Sequence, residues 1–144
     1  MEEVQIPRSA RDDSMTFVGR VVSGTGQGAQ FLVLGWVAAQ LQEQLSLTPF
    51  PGTLNLRIST EIRQSLFERR KEFLRISDPA SPDCPGYVKK VTLHANGRTC
   101  ETAYLILPEK TMYHDVLEIV AAVSLREHLL LSDGDAVEVE IDPG

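Results

Sequence analysis

The chain has 144 residues, a formal net charge of −6 and a pI near 5.0, with 42% hydrophobic and 24% charged residues. Those values fit one globular domain whose core can stand alone. They argue against a broad electrostatic grip on DNA or RNA, and no apolar run reaches the roughly 18 residues of a helical membrane span.

In chain order, MEEVQIPRSARDD lacks the apolar stretch of a signal peptide. Residues 1–15 therefore read as a flexible lead-in to a single domain over 16–144. Phe17–Val22 reads as a strand that runs into Ser23-Gly24-Thr25-Gly26-Gln27-Gly28. Backbone amides of such a glycine-dense loop can wrap a phosphate, because the chain approaches closely and turns its N–H groups inward. It is not a Walker A loop, since Ala29, Gln30 and Phe31 follow where Gly-Lys-Ser/Thr is needed. From Gly24 it matches G-x-G-x-x-A, a weak dinucleotide fingerprint without its βαβ context, and a flexible hairpin loop is the plain alternative. Phe31–Leu34 suggests a second strand. Val37–Leu45 has Val37, Leu41 and Leu45 at helical spacing.

Next comes PFPGTLNLR, residues 49–57. Leu54, Leu56 and Ile58 alternate with Asn55, Arg57 and Ser59, the period of a half-buried strand. Thr53 and Asn55 then share the face opposite the leucines. Two neutral oxygens past a Pro-Gly bend are either turn chemistry or ligands. Glu61–Leu74 reads as a short helix with strand possible at its end, and Ser77–Gly86, with three prolines, as a surface loop. Cys84 and Cys100 are too few and too far apart for a metal knuckle; free thiols are the simpler reading, a disulfide the other.

Tyr87–Leu93 and Thr99–Leu107 read as strands joined through Asn96-Gly97, a hairpin signal. Pro108–Thr111 opens a loop holding Tyr113, His114 and Asp115, where His114 is a loop histidine or a catalytic one. Val116–Leu130 is helical or mixed. Within it Glu118 is either a solvated residue or a placed hydrogen-bond acceptor. Ser124-Leu125-Arg126-Glu127 joins a possible helix cap to a cation, and Arg126 is a phosphate contact or half of a surface pair. Ser132–Asp135 is a turn. Ala136–Asp142 alternates, with Val137, Val139 and Ile141 inward. About six strands and two or three short helices, without a repeating strand–helix rhythm, predict a small mostly-β barrel.

Taken together, VVSGTGQGAQF, PFPGTLNLR, LPEKT, and DVLEIV with SLREHLLLSDGDAVEVEI come in an order and spacing that resembles the archaeal-type CTP-dependent riboflavin kinases, over residues 17–142. The resemblance implies a six-stranded cradle-loop (RIFT-related) β-barrel and transfer of the γ-phosphate of CTP to riboflavin, giving FMN and CDP with Mg²⁺. It implies that Thr25, Gly26, Gln27, Gly28, Ala29 and Gln30 hold the nucleotide phosphates and that Val123, Ser124, Leu125 and Arg126 complete the nucleotide site. Thr53 and Asn55 would ligate magnesium, Thr111 and Glu118 would contact the flavin, and Glu118 would orient or deprotonate the riboflavin hydroxyl. The implied partners are the small molecules CTP and riboflavin, with no nucleic acid or membrane, for a cytoplasmic monomer. The sequence departs from the family at Gln27, where glutamate is common, at Ala122, where proline is usual, and at Leu130, where glycine is frequent. The helix-turn-helix domain of some relatives has no counterpart in it.

Two other readings compete. One is a barrel that binds flavin or nucleotide without turnover. The other is an AbrB-like DNA-binding domain, to which LREHLLLSDGDAVEVEI is similar, but an acidic chain lacks the basic surface that fold needs.

Overall fold

The computed structural model describes residues 15–23, 35–109 and 115–142. Among these residues seven strands and three α-helices follow one another as β1 (Met15–Val22), α1 (Gly35–Leu45), β2 (Leu54–Arg57), α2 (Thr60–Glu68), a 3₁₀ turn (Arg70–Glu72), β3 (Leu74–Asp78), β4 (Ser81–Ala95), β5 (Arg98–Pro108), β6 (Val116–Val120), α3 (Leu125–His128) and β7 (Ala136–Ile141). All pairings are antiparallel. The sheet runs β3-β4-β5-β6-β2-β1-β7, and β4 also pairs with β7. Six strands therefore close into a ring, with β3 attached outside it to the first half of β4. The expected mostly-β barrel is what forms.

Strand alternation explains the ring's interior. Phe17 and Val21, Leu54 and Leu56, Leu105 and Leu107, Leu117 and Ile119, and Val137, Val139 and Ile141 join one buried cluster. Each such side chain contributes roughly 1.5–3 kcal/mol when fully buried. The opposite parity of β4, β5 and β6 supplies Val88, Ile106 and Val120 to a second cluster on the outer face, and Val37 and Leu41 of α1 cover it. Gln40 pins that helix to β3, donating Nε2–H to the Ser77 carbonyl at 2.6 Å and accepting from the Ser77 amide at 3.2 Å.

Several local expectations hold. Asn96 and Gly97 both adopt positive φ, 54° and 72°, the two-residue turn whose twist matches the hairpin β4–β5. Ser59, not among those expectations, caps α2, its Oγ accepting from the Ile62 amide. Cys84 and Cys100 are both free. The Phe31–Leu34 strand lies outside the described residues.

One expectation is corrected. Ser77–Gly86 is not a loop: its chain turns only at Pro79-Ala80, where the Asp78 carboxylate accepts from the Ala80 amide, and residue 81 already begins β4. The prolines misled because pairing with β5 starts only at Gly86, so Pro82 and Pro85 face no second ladder that needs their missing N–H. The short helix with strand at its end holds for Glu61–Leu74, which divides into α2, the 3₁₀ turn and the start of β3. Of the two readings of Val116–Leu130 the mixed one holds: strand first and a single helical turn after, because Val116–Val120 pairs with both β2 and β5. Among the described residues no helix is long and apolar enough to cross a membrane.

Candidate functional site

One cleft of about 190 Å³ opens between the loop leading into β2 and the segment between β6 and α3. Phe50, Pro51, Gly52, Thr53 and Leu54 form one wall. The other carries Ile119, Ala121, Val123, Ser124, Leu125 and Arg126. The walls are tied together where the Phe50 amide donates to the Ala121 carbonyl at 2.7 Å. Thr53 and Val123–Arg126, far apart in sequence, thus share one cavity. Ser124 serves as the cap of α3, its Oγ accepting from the Glu127 amide.

Behind Thr53 stands Asn55. Its Nδ2 donates to the Thr53 carbonyl at 3.2 Å and to Thr53 Oγ1 at 3.3 Å. In the sheet Asn55 pairs with Val22 on one side and Glu118 on the other. Asn55 and Glu118 are 6% and 7% exposed, polar groups buried among apolar neighbours. The Asn55 Oδ1 has no hydrogen-bond partner among the described residues. Buried acceptors are nearly always satisfied, so this one is open to a partner that the described residues do not supply. A hard cation fits: neutral amide and hydroxyl oxygens suit magnesium, which keeps several waters and takes phosphate oxygens besides. Among the described residues no group of three His, Cys, Asp or Glu could form a metal cage alone.

Glu118 also has a cationic neighbour that no local sequence pattern signals. Arg63, on α2, is buried, with its guanidinium 5.5 Å from the centre of the Phe67 ring. Burial holds the Arg63 pKa below its ordinary value, and the Glu118 charge pulls it back up. The two groups therefore feel one another across a poorly solvated gap.

The third feature is a clasp at the root of the glycine loop. Arg126 donates from Nη2 to the Val22 carbonyl at 3.3 Å and to Asp133 Oδ1 at 2.7 Å. Ser23 Oγ donates to the second carboxylate oxygen of Asp133 at 2.9 Å. The Arg126 and then the Ser23 hydrogen bond hold the Asp133 carboxyl below the usual carboxylate range. Two backbone bonds, Gly134 N–H to the Val21 carbonyl and Val21 N–H to the Asp135 carbonyl, fasten the same turn to β1.

Thr25, Gly26, Gln27, Gly28, Ala29, Gln30, Thr111 and His114 lie outside the described residues. What is described is where their segments start: Val22, beside Asn55, leads into the glycine loop, and Asp115 closes the other loop through its ion pair with Arg57 at 2.6 Å. The structure thus brings together Thr53, Asn55, Glu118 and Val123–Arg126. It adds Phe50, Arg63 and Asp133, which sequence reasoning passed over. Only Phe50 left a trace there, a large aromatic between two prolines beside the Thr53 motif.

The family model for the CTP-dependent riboflavin kinase domain, described as a domain of unknown function, DUF120, matches residues 21–141. A riboflavin kinase of Thermofilum pendens is 37% identical over 139 residues, covering 90% of this chain and 61% of the relative. One from Pyrobaculum arsenaticum is 38% identical over 135 residues, covering 89% and 61%. One from Archaeoglobus fulgidus is 39% identical over 128 residues, covering 85% and 53%. The chain thus spans less than two thirds of the length of these relatives.

Proposed function

This chain belongs to the CTP-dependent riboflavin kinase family, and from that premise we propose that it transfers the γ-phosphate of CTP to the 5′-hydroxyl of riboflavin, yielding FMN and CDP. Phosphoryl transfer needs in-line positioning and neutralisation of charge more than covalent chemistry. The candidate residues divide that work. Amides of Thr25–Gln30 cradle the phosphates, and Val123, Ser124, Leu125 and Arg126 line the rest of the nucleotide site. Thr53 and Asn55 hold magnesium through neutral oxygens. Magnesium, when bound, supplies positive charge against the phosphates.

Thr111 and Glu118 face the flavin. Glu118 takes the proton of the 5′-hydroxyl as its oxygen attacks the γ-phosphorus. The bond from that phosphorus to the bridging oxygen breaks, and CDP leaves with the electron pair. Arg63 keeps the buried Glu118 from being the sole charge in its surroundings. The cytoplasm and a monomeric state complete the proposal.

The observation that carries this reading is convergence. Thr53 and Arg126 share one cleft, Asn55 is bonded to Thr53, and Glu118 sits across the ladder from Asn55. Incubation with riboflavin, Mg²⁺ and each nucleoside triphosphate in turn, with FMN separated by chromatography, tests it. FMN should form with CTP and not without metal. A chain that forms no FMN with any triphosphate is not a kinase.

A further inference from the structure

Asn96 does more in the structure than turn the β4–β5 hairpin. Its Nδ2 donates to the Leu129 carbonyl and to the Leu130 carbonyl, at 2.9 Å each, and so fastens the hairpin to the end of α3. Leu130 stands there at φ 54°, in the left-handed region, and the Leu131 amide beside it is bonded to the Arg126 carbonyl at 2.8 Å. One side-chain nitrogen thus holds a left-handed turn next to the helix that supplies a wall of the cleft.

The residue after Asn96 gives that nitrogen a way to leave. Asparagine is a thermolabile side chain, because the backbone nitrogen of the next residue can attack its Cγ, and a Cβ on that residue obstructs the approach. Gly97 has none, and no atom lies within 4 Å of where its Cβ would stand. Asn96 and Gly97 are both exposed, at φ 54° and 72°. The Gly97 amide makes no backbone hydrogen bond among the described residues. The other asparagine of the chain, Asn55, is buried and precedes Leu56.

We propose that Asn96 is a site of spontaneous deamidation, held in check by the bonds that its own leaving nitrogen makes. In the reaction the Gly97 nitrogen gives its proton to water and forms a bond to Asn96 Cγ. The Cγ–Nδ2 bond breaks, and the nitrogen departs as ammonia with the electron pair and a proton from water. A second water then opens the cyclic imide at one of its carbonyls, leaving aspartate or isoaspartate with nothing oxidised or reduced. Nδ2 does not leave while it donates to Leu129 and Leu130, so the clasp opens before ammonia goes. Afterwards it stays open, because a carboxylate has only acceptors to set against two carbonyl oxygens. Isoaspartate also lengthens the backbone between Ala95 and Arg98, which pair across a two-residue turn. No phosphoryl transfer enters this chemistry, so the inference stands apart from the kinase reading.

Incubation of the full chain at mildly alkaline pH, native and in urea, with peptide mapping by mass spectrometry, tests this. Asn96 should convert in both states, and at least about tenfold more slowly in the native one, where two hydrogen bonds must open first. Asn55 should stay intact in the native protein. Converted native protein, separated by ion exchange, should melt below the unconverted fraction. Asn96→Asp, which brings in the carboxylate without the reaction, should melt below the wild type as well. Equal rates in the two states would overturn the gating, and no conversion at Asn96 in urea would remove the site. Converted protein that melts like the unconverted fraction would show that the bonds to Leu129 and Leu130 hold nothing. An Asn96→Asp chain that fails to fold supports the weight given to the clasp, and the two wild-type rates then decide the gating.

Discussion

Asn55 on β2 lies directly across an antiparallel ladder from Glu118 on β6, and both are buried. The Asn55 Oδ1, without a hydrogen-bond partner among the described residues, carries a desolvation cost of about 1–3 kcal/mol. A leucine of similar size removes that cost along with the proposed ligand. Asn55→Leu should leave the melting temperature unchanged or higher. FMN formation should fall by at least about 10–100-fold, the loss seen even for groups that only support a metal ligand. A Mg²⁺ titration of activity beside a thermal melt reads both. Full activity in Asn55→Leu would take Asn55 out of the metal site.

Glu118→Gln keeps the shape and removes the charge. Turnover should drop by about 10²–10⁴, the usual contribution of a general base, while CTP binding stays close to that of the wild type. Burial and charge predict a second effect. Arg63 loses the negative group that offsets its desolvation, so the variant should also melt lower. The drop should be recovered in the Arg63→Met/Glu118→Gln double variant, where no lone buried cation remains. Single-turnover kinetics together with a double-mutant melting cycle separate the two consequences. Unchanged kcat would remove Glu118 from the chemistry.

The alternation of Leu54–Ile58, the Asn96-Gly97 turn and the β7 pattern were legible because each is a local rule: period two, or two positive φ values in succession. The glycine loop, Thr53, Asn55 and Arg126 were legible as motifs. Glu118 was ambiguous because Val116–Val120 is buried on both faces, and a continuous apolar run does not tell strand from helix. β4 was hidden by prolines that local reasoning treats as breakers, although residues 81–85 pair on the β3 side alone, which leaves the prolines harmless. Arg63 and Asp133 acquire meaning only from residues brought near by closure of the ring. Arg63 is 55 positions from Glu118, counting from 63 to 118, and Asp133 is 110 from Ser23.

The Asp133 clasp makes a prediction about pH. Its folded pKa lies below the 3.8 of a free aspartate, first through the Arg126 hydrogen bond and then through Ser23. A depressed acid contributes above its unfolded pKa and loses that contribution as pH falls through the folded one. The clasp should therefore persist unchanged from neutral pH to about pH 4 and release only under stronger acid. A carboxyl-carbon NMR titration should give Asp133 a midpoint under 3.8 in the wild type. In Arg126→Gln it should move up toward that value. A wild-type midpoint at or above it would mean that Arg126 and Asp133 do not pair in solution.

At Gly19 β1 approaches β2 too closely for a side chain. A Cβ there would sit 2.9 Å from Leu56 Cβ, 3.2 Å from Ile58 Cγ2 and 3.3 Å from the Arg57 carbonyl oxygen. Two of those three neighbours belong to the strand that carries Asn55, and none is the loose end of a long side chain. Gly19→Ala should cost about 1–3 kcal/mol in denaturant unfolding, as overpacking does. It should also weaken Mg²⁺-dependent activity, because β2 must shift to make room. Wild-type stability in Gly19→Ala would show that the two strands separate freely.

Leu130 presents the opposite case, a side chain where the backbone asks for none. It follows α3 at φ 54°, with its own amide bonded to the Glu127 carbonyl and the Leu131 amide to the Arg126 carbonyl. That pair of bonds is the Schellman ending, whose left-handed position is ordinarily glycine. Leucine there carries about 1–2 kcal/mol of left-handed strain, and at 57% exposure it gains little from burial in return. Asn96 holds the strained turn in place, donating Nδ2–H to the Leu129 and Leu130 carbonyls at 2.9 Å each. Leu130→Gly relieves the strain but frees the unfolded chain by about 0.5–1 kcal/mol. The net expectation is a gain of about 0.5–1 kcal/mol in urea unfolding. Asn96→Ala removes two of the bonds that fix the turn, so it should destabilise the leucine protein more than the glycine variant. Equal losses in the two backgrounds would mean that Leu130 is not strained.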